Sequence, residues 1–222
     1  SIEEARKLAR VMVSIGELAG RKVVALISDM NQPLGYAVGN ALEVREAIDV
    51  LNGAGPADFH EHCLVLCSHM LLLGKLAPDL KTARSLSKEA IISGAALKKF
   101  KALVAAQGGD VSYVDDPSKF PPSNCIEEVK TSESGYIAQI HARLIGEASV
   151  ILGAGRAKKE DIIDHSVGIV VHQKVGGFVN KGDVIYTLHA RNQTQVEEAK
   201  NYLLNALIIQ NNRVQPLPLF YE

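Results

Sequence analysis

The sequence has no excess of charge of either sign. Lys and Arg number 24 against 25 Asp and Glu, a net charge of −1. That balance argues against a general nucleic-acid binder and against a polybasic membrane binder, since both lean on surplus positive charge. No run reaches the ~18 apolar residues that a membrane span requires. No basic-then-apolar leader opens the chain. Cysteine is scarce: Cys63, Cys67 and Cys125 are too few and too odd for a disulfide framework, so a reducing cytoplasm is the expected compartment. What is present suits a globular chain: 47% hydrophobic and 22% charged residues over 222 positions can bury the core of one large or two small domains. The chain opens on Ser1 and enters a helical pattern at once, which suggests a piece of something longer.

Residues 3–19 read as an amphipathic helix, with Leu8, Val11, Met12, Ile15 and Leu18 at steps of three and four. KVVALIS (22–28) reads as a buried strand. DMNQPLGYAVGN (29–40) is dense in turn-formers and would lie at the C-terminal edge of that strand, where open parallel sheets hold their ligands. Asn40 is suited to cap the next helix, with Glu43 completing a capping box. Helices follow near 57–73, 79–92 and 95–106, punctuated by Gly74, Pro78, Gly94 and Gly108–Gly109. One strand among about five helices is too few for an ordinary sheet: either the sheet is tiny or its partners lie upstream of Ser1, and the second is the expectation. Residues 110–124, with three prolines, read as a linker and boundary. Beyond it, 126–131, 136–140, 168–174 and 184–190 read as strands, with a turn at 133–135, and 142–153 and 193–210 read as helices. The fold class is α/β: an incomplete α/β part followed by a smaller α+β domain.

Several clusters suggest chemistry. HEHCLVLCSH (60–69) holds three His and two Cys, but on a helix they divide between two faces, and small apolar core cysteines explain them better than a zinc site. Asp164, His165 and Ser166 are consecutive, so their side chains cannot align as a triad. GAGRAKKED (153–161) is a glycine-rich turn with cations; phosphate binding there is weighed against a helix C-cap followed by a solvated loop. VGGFVNKGDVI (175–185) resembles the hairpins of biotinyl and lipoyl carriers, yet the strand after it ends in TLHARNQ without a lysine to modify. The 29–46 stretch exposes free carbonyls beside the carboxylates of Glu43 and Glu46, the donor set a hard cation such as potassium, sodium or calcium accepts. The competing reading is a capping loop with solvated glutamates.

ISDMNQPLGYAVGNALEVREAI (27–48) and LGAGRAKKEDIIDHSVGIVVHQKVG (152–176) resemble signatures of the pyrimidine-nucleoside and thymidine phosphorylase family. GAGPAD (53–58), AAQGGD (105–110) and PLFYE (218–222) fit as well, and the broad-specificity bacterial type is the nearer one. The resemblance implies a transferase for reversible phosphorolysis of uridine or thymidine to free base and (deoxy)ribose 1-phosphate in nucleoside salvage. It implies residues 1–115 as part of the central α/β phosphate-binding domain, 116–124 as a linker and 125–222 as the C-terminal α/β-hammerhead domain. The family's K-x-S-T-G-G phosphate loop and R-D-x-T-x-T-x-D-S base-binding stretch are missing from this sequence, so no catalytic or substrate-binding residue is expected in this chain. The family's cation site carries over in part. It implies potassium, sometimes seen as calcium, held by the backbone carbonyls of Leu34 and Ala37 and the side chain of Glu46, as a half-site. Implied partners are pyrimidine nucleoside and phosphate, with a homodimer formed mainly through a helical domain that this chain lacks. The alternative from another class is a non-catalytic scaffold or interaction fragment.

Overall fold

The computed structural model describes residues 1–156 and 158–221. Helix α1 (Ile2–Leu18) begins with the capping box that Ser1 and Glu4 form: the Ser1 hydroxyl accepts from the Glu4 N–H, and the Glu4 carboxylate takes the terminal amine at 2.8 Å. No α1 residue is buried, and its apolar stripe from Leu8 to Leu18 is exposed. The run 22–28 differs from the strand expected of it. Only β1 (Ile27–Ser28) enters a ladder, and Val24 and Leu26 stand open to solvent. Apolarity alone does not make a strand; a paired edge does, and among the described residues the only strand beside β1 is the short β9 described below.

After the turn-rich loop, β2 (Ala37–Val38) leads into α2 (Asn40–Leu51). Helices α3 (Ala57–Leu73), α4 (Leu80–Ile92) and α5 (Ala95–Ala106) then stack beside it around Ile48, Val50, Leu64 and Ala83. Asp79 caps α4 through the Thr82 N–H at 2.7 Å, and Arg84 grips Glu61 of α3 with two hydrogen bonds of 2.8 and 2.5 Å. The proline-rich connection holds a single turn, α6 (Ser112–Asp115), and a short 3-10 segment at Pro117–Lys119.

The rest is α+β. Strands β3 (Cys125–Lys130) and β4 (Gly135–Ile140) follow one another but join different sheets. They are followed by α7 (Ala142–Leu152), β5 (Gly168–Val171), β6 (Phe178–Val179), β7 (Val184–Ala190) and α8 (Gln193–Leu204). The stretch expected as one helix to residue 210 ends at Leu204. Leu207–Gln210 forms β8, paired antiparallel with β4. The chain then runs to β9 (Phe220–Tyr221), which pairs with β1. The sheets order as β2-β5-β7-β3 and β6-β4-β8, and α7 and α8 close the core over them. Ile137, Ile140, Ile145, Leu152, Ile169, Leu188 and Leu203 are fully buried there. No described helix is long and apolar enough to cross a membrane.

The four-stranded sheet takes its first strand from the N-terminal part of the chain. β2 lies against β5 with Ala37 opposite Val170 and Val38 opposite Ile169. Two glycines make that approach possible. Gly39 has φ +144°, and a Cβ there would stand 2.7 Å from the Val167 carbonyl oxygen; a Cβ on Gly168 would stand 2.5 Å from that of Val38. Gly39→Ala therefore meets both a strained backbone and a backbone clash, and should cost about 2 kcal/mol of stability in urea unfolding. Gly146→Ala, inside α7 with open space around it, should be neutral or stabilising by up to about 1 kcal/mol in the same measurement. Equal costs at the two positions would refute the close-approach account.

Candidate cation site

Glu46 shapes the corner where the 33–37 loop meets α2. Its Oε1 accepts the N–H groups of Tyr36 at 2.9 Å and Ala37 at 3.1 Å. Gly35, at φ +67°, leaves room for the other oxygen: a Cβ there would stand 2.2 Å from Glu46 Oε2. The cap of the helix that carries Glu46 lies one residue before the one expected at Asn40. Gly39 is the cap, Glu43 reaches back to its N–H at 2.9 Å, and the freed Asn40 side chain donates to the Ala154 carbonyl at 2.8 Å. The Asn40–Glu43 box is thus replaced by a glutamate hook and a bond across to the end of α7.

Two groups complete the corner, and neither was evident from the sequence. Asp58, in the first turn of α3, accepts the Gly35 N–H at 3.2 Å. Lys174, between β5 and β6, sends its ammonium into the loop. It donates to the Pro33 carbonyl at 2.6 Å, to the Gly35 carbonyl, and to Asp58 Oδ2 at 2.8 Å, and lies 5.3 Å from the Tyr36 ring centre. Beside it, the Val175 N–H donates to Gln32 Oε1 at 2.9 Å. The lysine is 141 residues from Pro33, so no local pattern announces the pairing.

The three residues expected as cation ligands lie at this corner. Among the described residues no hydrogen bond ends on the Leu34 carbonyl or on Glu46 Oε2. Ala37 gives its N–H to Glu46, so its carbonyl faces the same way, off the β5 ladder, by the pleat. Hard oxygen donors without partners, one of them anionic, are chemically fit for a hard cation. Burial pushes the Glu46 carboxyl up from its ordinary range; the Tyr36 and Ala37 N–H groups and the Lys174 charge oppose that, and the Asp58 charge adds to it.

The other clusters have structural duties. His62 stacks on Phe220 at 5.1 Å between ring centres, 12° from parallel. Cys63 and Cys67 line an apolar groove of about 590 Å³ with Leu71, Leu76 and Leu86, and burial pushes the Cys63 thiol up, which keeps it protonated. Asp164 accepts from the Ser166 N–H and hydroxyl at 2.9 and 2.6 Å and from Arg191 at 2.6 Å, while the His165 carbonyl accepts the Ala41 N–H. These three residues form a turn that carries the chain into β5, not a triad. In the 153–161 loop, Gly153 ends α7 in the left-handed conformation and the Lys158 N–H is taken by Asp161. Ala157 of that loop lies outside the described residues.

The Glu46 geometry has a pH signature. A carboxyl raised by burial favours the folded state when protonated, and that contribution is lost as pH rises through its folded value. Glu46→Gln keeps an oxygen for the Tyr36 and Ala37 N–H groups without the charge. In a potassium-free buffer it should be at least as stable as the parent at neutral pH, and the difference should shrink to nothing as pH falls to about 4. Urea midpoints across that range check this; a deficit for the variant at neutral pH would refute it.

Residues 1–97 match the family model described as glycosyl transferase family, a/b domain, and residues 136–210 match pyrimidine nucleoside phosphorylase C-terminal domain. The pyrimidine-nucleoside phosphorylase of Geobacillus stearothermophilus is 49% identical over 221 residues, covering 100% of this chain and 51% of the relative. That of Staphylococcus haemolyticus is 48% identical over 216 residues, 97% of this chain and 50% of the relative. The Bacillus subtilis enzyme is 51% identical over 196 residues, 88% of this chain and 45% of the relative. The chain spans about half the length of these curated relatives. With two successive domain matches and identity running along its whole length, the chain belongs to the pyrimidine-nucleoside phosphorylase family.

Proposed function

We propose that this chain is the C-terminal part of a pyrimidine-nucleoside phosphorylase, a pentosyltransferase that splits uridine or thymidine with phosphate into free base and a pentose 1-phosphate. The observation that carries the reading is 49% identity to such an enzyme across 221 residues. In that reaction phosphate attacks the anomeric carbon while negative charge develops on the departing base, so catalysis depends on positioning and electrostatics. The phosphate-loop and base-binding motifs do not occur in these 222 residues, so those contacts fall to the rest of the longer protein. This chain supplies the cation corner. The Leu34 and Ala37 carbonyls and Glu46 Oε2 would hold potassium, with further ligands from the phosphate loop. When bound, the ion would contribute fixed positive charge near the phosphate. Glu46 fixes the path of the loop through two N–H groups, and Lys174 and Asp58 brace it from the C-terminal side and from α3. The full enzyme would be a cytoplasmic homodimer, joined mainly through a helical domain outside this chain.

The test is phosphate-dependent release of uracil from uridine. The chain alone should be silent, and mixing with the complementary part of the enzyme should restore turnover. Activity from the chain alone would overturn the assignment of catalysis elsewhere. Silence in both cases would favour a non-catalytic fragment.

A further inference from the structure

Lys174 presents a charge balance that a simple loop brace does not need. Its ammonium has three donors, and all three are spent, on the Pro33 and Gly35 carbonyls and on Asp58. The head is therefore held, not swinging. It takes the carbonyls on either side of Leu34 and leaves the Leu34 carbonyl free. The lysine and Asp58 side chains keep only 23% and 31% of their exposure, and Glu46 is half-buried as well, so these charges are poorly screened. Glu46 feels both the Lys174 and the Asp58 charge. The corner thus holds two carboxylates and one ammonium, a net charge of −1. Arg45 and Asp49 line the cleft beside Ala37 and Glu46 with opposite charges, and Glu43 is engaged on the Gly39 N–H, while the charges that act on Glu46 itself are those of Lys174 and Asp58.

We infer that Lys174 is the residue that selects a monovalent over a divalent cation at the Leu34–Ala37–Glu46 corner, an inference that rests on the cation reading above. One positive charge neutralises the corner. A divalent ion would leave it at +1, with the excess pressed against a tethered ammonium. Lys174 also withdraws oxygens. The Asp58 oxygen it holds is anionic, the kind of donor from which a divalent ion gains more than a monovalent one. Removing the ammonium leaves −2 and frees the Asp58 carboxylate, which suits a divalent ion.

Thermal midpoints of this chain assembled with the complementary part of the enzyme, which brings the remaining ligands, titrated with potassium chloride or calcium chloride at constant ionic strength in choline chloride, test this. The parent should respond to potassium at lower concentration than to calcium. Lys174→Met should invert the order, with apparent calcium affinity rising at least about tenfold. Asp58→Asn, with a neutral corner, should weaken both responses. The double variant, back at −1, should regain the preference for potassium, which a purely structural role for Lys174 would not produce. A folded Lys174→Met that keeps the parental preference overturns the inference and leaves the cation reading standing. A parent that responds to neither ion overturns the cation reading, and the inference with it. If Lys174→Met does not fold, Asp58→Asn decides: unchanged affinity for potassium would refute the charge balance.

Discussion

One half-buried carboxylate sets the path of the segment on which the rest depends. Glu46 binds the Tyr36 and Ala37 N–H groups with a single oxygen, and the Gly35 backbone makes room for the other. A loop with this many turn-formers has many conformations of similar energy, and two N–H bonds to a partly desolvated acceptor are enough to select one. Once 35–37 is fixed, Ala37 and Val38 present an edge to β5, Gly39 lies against Val167, and α2 leaves in one direction only. The raised affinity of Glu46 for its proton is the cost of that arrangement: the carboxylate has given up water that two N–H groups replace only in part.

The two halves of the chain are sewn together by backbone and buried polar contacts as much as by apolar packing. β2 enters the sheet of β5, β7 and β3; β1 pairs with β9; Asn40 reaches Ala154; Gln32 accepts from Val175; and Lys174 crosses to Pro33 and Asp58. Each contact fixes an angle as well as a distance, so the loop inherits the rigidity of the C-terminal core. By contrast, the exposed stripe of α1 and the open run before β1 have no covering layer among the described residues.

Local punctuation made much of this fold legible. The helices read near 57–73, 79–92 and 95–106 occur at Ala57–Leu73, Leu80–Ile92 and Ala95–Ala106, because Gly74, Pro78, Gly94 and Gly108 interrupt an otherwise clear helical period. The strand read at 184–190 is β7 to the residue. Where the reading departed from the structure, the deciding contact was distant. Leu203, Leu204, Leu207 and Ile208 keep a helical spacing, yet pairing with β4 turns Leu207–Gln210 into a strand. The run 22–28 is apolar enough for a strand but lacks a ladder beyond Ile27–Ser28. At the candidate site, the residues alone pointed to loop carbonyls beside Glu43 and Glu46, and the family resemblance narrowed these to Leu34, Ala37 and Glu46, which lie within one turn and helix. Asp58 and Lys174 could not, because a lysine after an apolar strand is ordinarily a solvated one.

The pairing of β1 with β9 bears on how the chain acquires its structure in time. Tyr221 donates to Asp29 across 192 residues, and the two strands of that ladder are only two residues each. Closing so wide a loop costs chain entropy that so short a ladder repays poorly. The contact must therefore form late, after the helices and the C-terminal sheets have drawn the ends together. During synthesis the helices from α2 to α5 emerge long before residues 220–221, and for that interval β1 lacks the strand it pairs with among the described residues. The exposed Val24 and Leu26 beside β1 then wait for a ladder that closes last, even though it ends the process as one small pairing at the margin of the fold.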